Sequence, residues 1–216
     1  KLFFQNYNIG STENFKFVLS QANGSYFMWH AHDDWFDKKF LEKSLKYLQE
    51  NNDYILVSGN PIFLDDGVEL KITNKYLQKF DDDDPYKRVA QYLSFVEDNS
   101  IFYGLTKTNV LRSIKFDHFL GNDWMIVVGL LYQGKALQIR NSKFYRNVGG
   151  TGKSFKSIVE TFKLNKFTQY FPYIMMSYYF IVNVFSSKCF SNNSILLNIK
   201  FFFILLYTLH KRILSR

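Results

Sequence analysis

A chain of 216 residues is long enough for one well-buried core, or for one domain with an appendage. Its single cysteine, Cys189, excludes an internal disulfide framework and a Cys-rich zinc module. Residues 1–150 carry eighteen basic and eighteen acidic side chains, whereas residues 151–216 carry nine Lys or Arg against Glu160 alone, so the net charge of +8 belongs to the last stretch, an asymmetry that marks two parts with different surroundings.

The chain opens on Lys1 without a signal-peptide pattern, and "KLFFQNYNIG" reads as a strand already under way, so further chain upstream is expected. Residues 2–7 predict a short apolar strand, followed by the turn Asn8-Ile9-Gly10. Ser11 or Thr12 is placed to cap a helix whose apolar positions Phe15, Val18, Leu19 and Ala22 recur at helical spacing, and Asn23-Gly24 stops it. "SYFMWH" is an unbroken apolar run, as in a strand buried in a parallel sheet. Asp37 predicts the cap of a second helix with Phe40, Leu41, Leu45 and Leu48 inward, and "DYILVSG" reads as another buried strand. Strand, helix, strand, helix, strand at this spacing is an α/β pattern with a mostly parallel sheet flanked by helices.

"FLDDGVELK" predicts a hairpin turning at Asp66-Gly67. Asp81–Asp84 lacks the alternating ligand spacing of a calcium cage and reads as an acidic loop capping the helix after Pro85, with Tyr86, Val89, Ala90 and Leu93 on one face. "NDWMIVVGLLYQG" predicts a deeply buried helix ended by Gly134, and "KALQIRNSKFYRNVGG" returns as strand and glycine-rich loop.

The chemistry concentrates in "MWHAHDDWF". One reading is a hydrolytic zinc site built on His30, His32 and Asp34, which needs three or more ligands per metal and would have only His118 to complete it. The other is a hard Mg²⁺ or Mn²⁺ held by Asp33 and Asp34, with water and substrate phosphate oxygens completing the octahedron. A carboxylate pair just past a strand end sits where open α/β sheets bind ligands. The plain alternative is that both aspartates simply begin the next helix.

"NIGSTENFKFVLSQANGSYFMWHAHDDWFDKKFLEKSLKYLQEN" resembles the centre of a family 2 glycosyltransferase with the GT-A fold, as do "SIFYGLTKTNVLR", "GNDWMIVVGLLYQGKALQI" and "YRNVGG". The likeness spans roughly residues 3–152. It implies a Rossmann-like sheet that here lacks its first βαβ, and a partial catalytic domain at 1–152 followed by a helical tail at 153–216. Where the family has the first aspartate of Asp-x-Asp this chain has Ala31, which leaves the metal to Asp33 with Asp34 assisting. The resemblance further implies Asp123 of "GNDW" as the base for the acceptor hydroxyl, its plain alternative being a helix cap. It implies inversion at the sugar, a nucleotide-sugar donor with Gly10, Asn14, Asp33, Asp34 and Arg146 near it, and a glycan or lipid-linked acceptor. Trp35 is open to a sugar face or to core packing, and Arg146 to the diphosphate or to solvent.

Residues 167–187 are uncharged but broken by Gln169, Pro172, Ser177 and Asn183, and Lys163, Lys166, Lys188, Lys211, Arg212 and Arg216 flank the aromatic tail. The pattern predicts helices on an anionic membrane surface, at the cytoplasmic face, with a membrane span or packing onto the domain as alternatives. The basic residues are too dispersed among apolar ones for nucleic-acid binding. A metal-dependent hydrolase and a non-catalytic binding module stand as the other functional classes.

Overall fold

A computed structural model describes residues 1–70, 77–96, 98–147, 154–190 and 195–214. The order is α1 (Ser11–Gln21), β1 (Tyr26–Phe27), β2 (Trp35–Phe36), α2 (Phe40–Glu50), β3 (Tyr54–Asp65), β4 (Val68–Glu69), β5 (Lys79–Phe80) and α3 (Pro85–Phe95). A 3-10 turn at Ser100–Tyr103 leads to β6 (Leu105–Lys107), α4 (Thr108–Arg112), α5 (Asn122–Gln133) and β7 (Lys135–Asn147). The C-terminal part is α6 (Phe155–Phe162), α7 (Phe167–Tyr170), α8 (Pro172–Ser186) and α9 (Ile195–Leu214).

The sheet runs β1-β6-β3-β7-β2, with β4 on β3 and β5 on β7. Its parallel character resides in one long pair, β3 with β7; every other pairing among the described residues is antiparallel. The expected mostly parallel sheet is corrected on that point: the apolar runs are buried on both faces as in a parallel sheet, but short returning strands supply the remaining neighbours. "SYFMWH" contributes only Tyr26–Phe27, antiparallel to β6. Residues 2–7 form no strand; they have no ladder partner, and Leu2 and Phe4 are exposed.

The central pair bends midway. Gly59 pairs with Ile139 and Asn60 with Lys143, so residues 140–142 of β7 have no counterpart on β3. A Cβ on Gly59 would lie 3.0 Å from the Ser142 carbonyl oxygen and 3.1 Å from Phe144 Cβ, so glycine lets the strands approach at the bend without pushing those neighbours aside. Beyond it, Asp66 (φ 46°) and Gly67 (φ 80°) turn the chain into β4 as the Asp-Gly dipeptide predicts.

The two faces of β3 feed different clusters. Ile55 and Leu56 join the large core made with α3 and α5, while Tyr54 and Val57 pack with Leu48 of α2. In α2 the inward face is Phe40, Ser44 and Leu48; Leu41 is exposed, and Asp37 does not cap the helix but accepts the Lys143 N–H at 2.7 Å. Neither Ser11 nor Thr12 caps α1, which begins after Gly10; Val18 is exposed and Leu19 buried. Asp84 does cap α3, accepting the Tyr86 N–H at 2.8 Å.

The tail is not a separate layer. Met176, Phe180 and Val184 of α8 and Phe201 and Leu205 of α9 are buried in the same core as α5, and α9 packs on α3 and α8. Helical spacing puts Ile174, Tyr178 and Phe185, and Ile199, Phe203 and Tyr207, on the opposite, exposed faces. No helix among the described residues is long and apolar enough to cross a membrane. The expected boundary at 152–153 and the Gly149-Gly150 loop lie outside the described residues.

Candidate active site

The pairing of β2 with β7 sets Trp35 opposite Tyr145 and Phe36 opposite Phe144. That register carries the preceding aspartates to the end of β7, where the Asn147 side-chain amide donates to the Asp33 carbonyl at 2.8 Å. Asp34 is buried, and its Oδ2 lies 3.6 Å from Arg146 Nε. Burial pushes the Asp34 carboxyl up, and the Arg146 charge opposes that shift. Arg146 is not the solvated arginine that a loop position suggests. Its guanidinium lies over the Tyr103 ring at 4.9 Å, near Phe144 and Phe63, and Nη1 donates to Ser100 Oγ at 3.1 Å.

Asp123 lies in the first turn of α5, two residues after a left-handed Gly121 (φ 84°) that serves as N-cap. The cap role is therefore Gly121's. Asn99 Nδ2 donates to Asp123 Oδ2 at 2.9 Å, and the Tyr92 hydroxyl donates to Asn99 Oδ1 at 2.7 Å. Burial raises the Asp123 carboxyl above the ordinary carboxylate range, opposed by the Asn99 hydrogen bond, the backbone N–H groups of Trp124 and Asp123, and the Arg146 charge. Asn99 precedes Ser100, the residue that Arg146 holds. One short segment, 99–103, thus joins the two carboxylate sites. Tyr103 feels Arg146, Asp123, Asp34 and Asp33 together, and burial pushes its phenol up.

Beside Asp123 and Tyr103 opens a cleft of about 320 Å³ with Phe15, Phe102, Phe119 and Phe162 as apolar walls. His118 crosses it. Its Nε2 lies 2.7 Å from the Phe162 carbonyl and its Nδ1 2.9 Å from Thr12 Oγ1, which ties α6 to α1. A neighbouring hollow shares Ser11, Thr12, His118 and Phe162 and reaches Gly10. Asn14 is exposed and lines neither space, whereas Ser11, Thr12 and Phe15 of the same helix face the cleft. Trp35 is 44% exposed and stacked on Tyr145 at 5.4 Å, so it is a surface platform beside Asp34 and not a core residue.

No group of three or more His, Cys, Asp or Glu among the described residues converges as a metal cage. His30 stands against the Phe36 ring, His32 Nδ1 is 3.9 Å from Asp33 Oδ1, and His118 is engaged with Thr12 and the Phe162 carbonyl. The set His30, His32 and Asp34 is not assembled. A hard ion that takes most of its ligands from phosphate and water asks for less. Asp33 fits it, with a side chain 52% exposed, whereas the Asp34 carboxylate is buried against Arg146.

Asn99, Tyr92, Ser100 and Tyr103 receive no role in the sequence reading. The available signal was polar Asp98-Asn99-Ser100 leading an apolar run, but Asn99 meets a carboxylate 24 residues away, which no local spacing reveals.

The family model for glycosyl transferase family 2 matches residues 1–115. No curated protein matches the chain. The structure is similar to the crystal structure of S. aureus TarS 1-349, with a TM-score of 0.56 at 12% identity, over 95% of this chain and 52% of that one. The likeness is one of fold, and the chain spans about half the length of that relative.

Proposed function

We propose, because the chain belongs to glycosyl transferase family 2, that it is the catalytic part of an enzyme moving a sugar from a nucleotide-diphosphate sugar to an acceptor hydroxyl. The acceptor is a glycan or a lipid-linked glycan, in polysaccharide or glycan synthesis at a membrane. The observation that carries the reading is the joining of two carboxylate sites through Arg146 and residues 99–103: exposed Asp33 beside Asp34, and Asp123 at the cleft.

In the proposed reaction Asp123 takes the proton of the acceptor hydroxyl as its oxygen bonds to the anomeric carbon. The bond from that carbon to the diphosphate breaks on the opposite face, nucleoside diphosphate leaves, and a single displacement inverts the centre. The apolar walls exclude water, which would otherwise compete as acceptor. Asp33 would hold Mn²⁺ or Mg²⁺, which when bound would supply Lewis-acid neutralisation of the departing diphosphate. Gly10 and the N–H groups opening α1 form an anion-favouring edge of the neighbouring hollow for the nucleotide phosphates. Asp34 and Arg146 neutralise one another and hold the metal-bearing and base-bearing segments in register.

Asp33→Ala is expected to abolish Mn²⁺ binding that depends on added nucleoside diphosphate, read by electron paramagnetic resonance of free Mn²⁺, while His30→Ala leaves it unchanged. Loss in His30→Ala, or tight zinc binding without nucleotide, would instead favour the hydrolase.

The exposed tail faces support placement on an anionic membrane surface, peripheral or monotopic, at the cytoplasmic side. Phe167, Tyr170, Ile174, Tyr178, Phe203 and Tyr207 are all exposed, and Lys163, Lys166, Lys200 and Lys211 accompany them without an acidic residue after Glu160. Each basic residue near such a surface contributes about 1 kcal/mol, screened by salt. The protein is expected to sediment with phosphatidylserine vesicles, to be partly released by high salt, and to bind less as Ile174→Ser/Phe203→Ser. Failure to bind vesicles at low salt would remove the membrane assignment.

A further inference from the structure

We propose that Asn99 is a positioning residue for Asp123: its carboxamide, locked in one orientation by Tyr92, holds the Asp123 carboxylate toward the cleft and favours its charged form. The catalytic meaning of this tie rests on the glycosyltransferase reading above; the tie itself stands on geometry.

An asparagine side chain offers a donor and an acceptor that look alike in shape and differ only in partners. Here both partners are defined. Tyr92 donates its hydroxyl to Oδ1 at 2.7 Å, which turns Nδ2 toward Asp123 at 2.9 Å. The reverse orientation would set the amide oxygen against a carboxylate oxygen, two acceptors with no proton between them. Tyr92 is fully buried, its ring edge-on to Phe80 at 5.8 Å and to Trp124 at 6.5 Å, so its hydroxyl is a fixed point. The other end of the segment is fixed as well: the Ser100 N–H donates to Asp98 Oδ1 at 2.8 Å and Ser100 Oγ accepts from Arg146. Three elements, α3, the 99–103 segment and α5, therefore converge on one carboxylate.

The tie also acts on charge. A hydrogen bond to an ionised group favours that ionised form and, at about 1.5–3 kcal/mol, is stronger than one between neutral groups. Burial works against the charge on Asp123, and Asn99 is the first of the groups that offset it. The other charged or titratable groups around it are Arg146 from β7, Tyr103 from the 3-10 turn, Tyr92 from α3 and His118 across the cleft. Among these Asn99 is the neutral donor whose removal alters no formal charge.

The test is a carboxyl ¹³C titration of the full 216-residue chain, with the Asp123 signal assigned by its disappearance in Asp123→Asn. In Asn99→Leu the Asp123 midpoint is expected to rise by about one pH unit, a tenfold weaker acid. In Tyr92→Phe, which keeps the ring packing and frees the amide to turn, the rise is smaller but in the same direction. If Asn99→Leu does not fold, as judged from its amide spectrum, the Tyr92→Phe titration decides. A midpoint at the wild-type value in the folded variants overturns the proposal, whereas a merely structural role for Asn99 would lower stability without moving it. Undiminished transfer in Asp123→Asn alongside a shifted midpoint would overturn the reading of Asp123 as the base and not the tie, so the two failures are distinguishable.

Discussion

Sugar transfer in Asp123→Asn is expected to fall by about 10²–10⁴-fold, the usual worth of a positioned general base. The substitution keeps the size of the side chain and one oxygen that can accept from the first turn of α5 or from Asn99, and takes away the ability to accept a proton. The helix retains its Gly121 cap, so folding should be intact by circular dichroism and by the thermal midpoint. Binding of nucleoside diphosphate should also be unaffected, because the donor is held at the Asp33 and Gly10 ends of the site in the proposed arrangement. Near-normal turnover in this variant would reduce Asp123 to a structural residue of α5 and sink the proposed mechanism.

Arg146→Met is expected to cost about 3–5 kcal/mol of stability at neutral pH, the penalty for leaving a buried charge without its partner. Asp34 is 7% exposed, and Arg146 is the only cation within ion-pair distance of it among the described residues. The loss should depend on pH with a definite sign. A carboxyl whose folded-state value is raised binds its proton more tightly in the folded chain. Its ionisation therefore costs stability, a cost absent below the unfolded value near ~4 and complete above the raised folded value. Without Arg146 the Asp34 value rises further, so the destabilisation should be greatest at neutral pH and shrink on acidification. Pairing the change with Asp34→Leu should recover most of the loss, since two apolar residues replace an ion pair at little cost. Denaturant melts of the two single variants and the double variant at neutral and acidic pH measure all three terms. An Arg146→Met variant as stable as the parent, or one whose loss grows in acid, would show that Asp34 does not depend on this arginine.

Local patterns in the chain were enough for the helices at 85–95 and 122–133, the hairpin at Asp66-Gly67 and the long strand starting at Tyr54. In each, short-range chemistry and the buried face agree: Asp84 before Pro85, glycine after an apolar helix, an Asp-Gly turn between alternating residues. They were also enough to single out Asp33 and Asp34, because carboxylates at the end of a long apolar run are conspicuous, whereas Asp123 came from the family resemblance of "GNDW". Only the tertiary structure decided which strands lie side by side, since an apolar run is equally apolar beside a parallel or an antiparallel neighbour. It also set the different surroundings of the two neighbouring aspartates. Asp34 looks like a ligand in sequence, but the register of β2 on β7 turns it to Arg146 and leaves Asp33 in solvent. The tail shows the same limit. Its apolar periodicity fits a membrane face or a protein core equally well, and three-dimensional packing splits it into a buried stripe, Met176, Phe180, Val184, Phe201 and Leu205, and an exposed one. Asn99 was out of reach altogether, because a hydrogen bond between residues 24 positions apart is made by the packing of α3 against α5 and leaves no mark on the residues near either end.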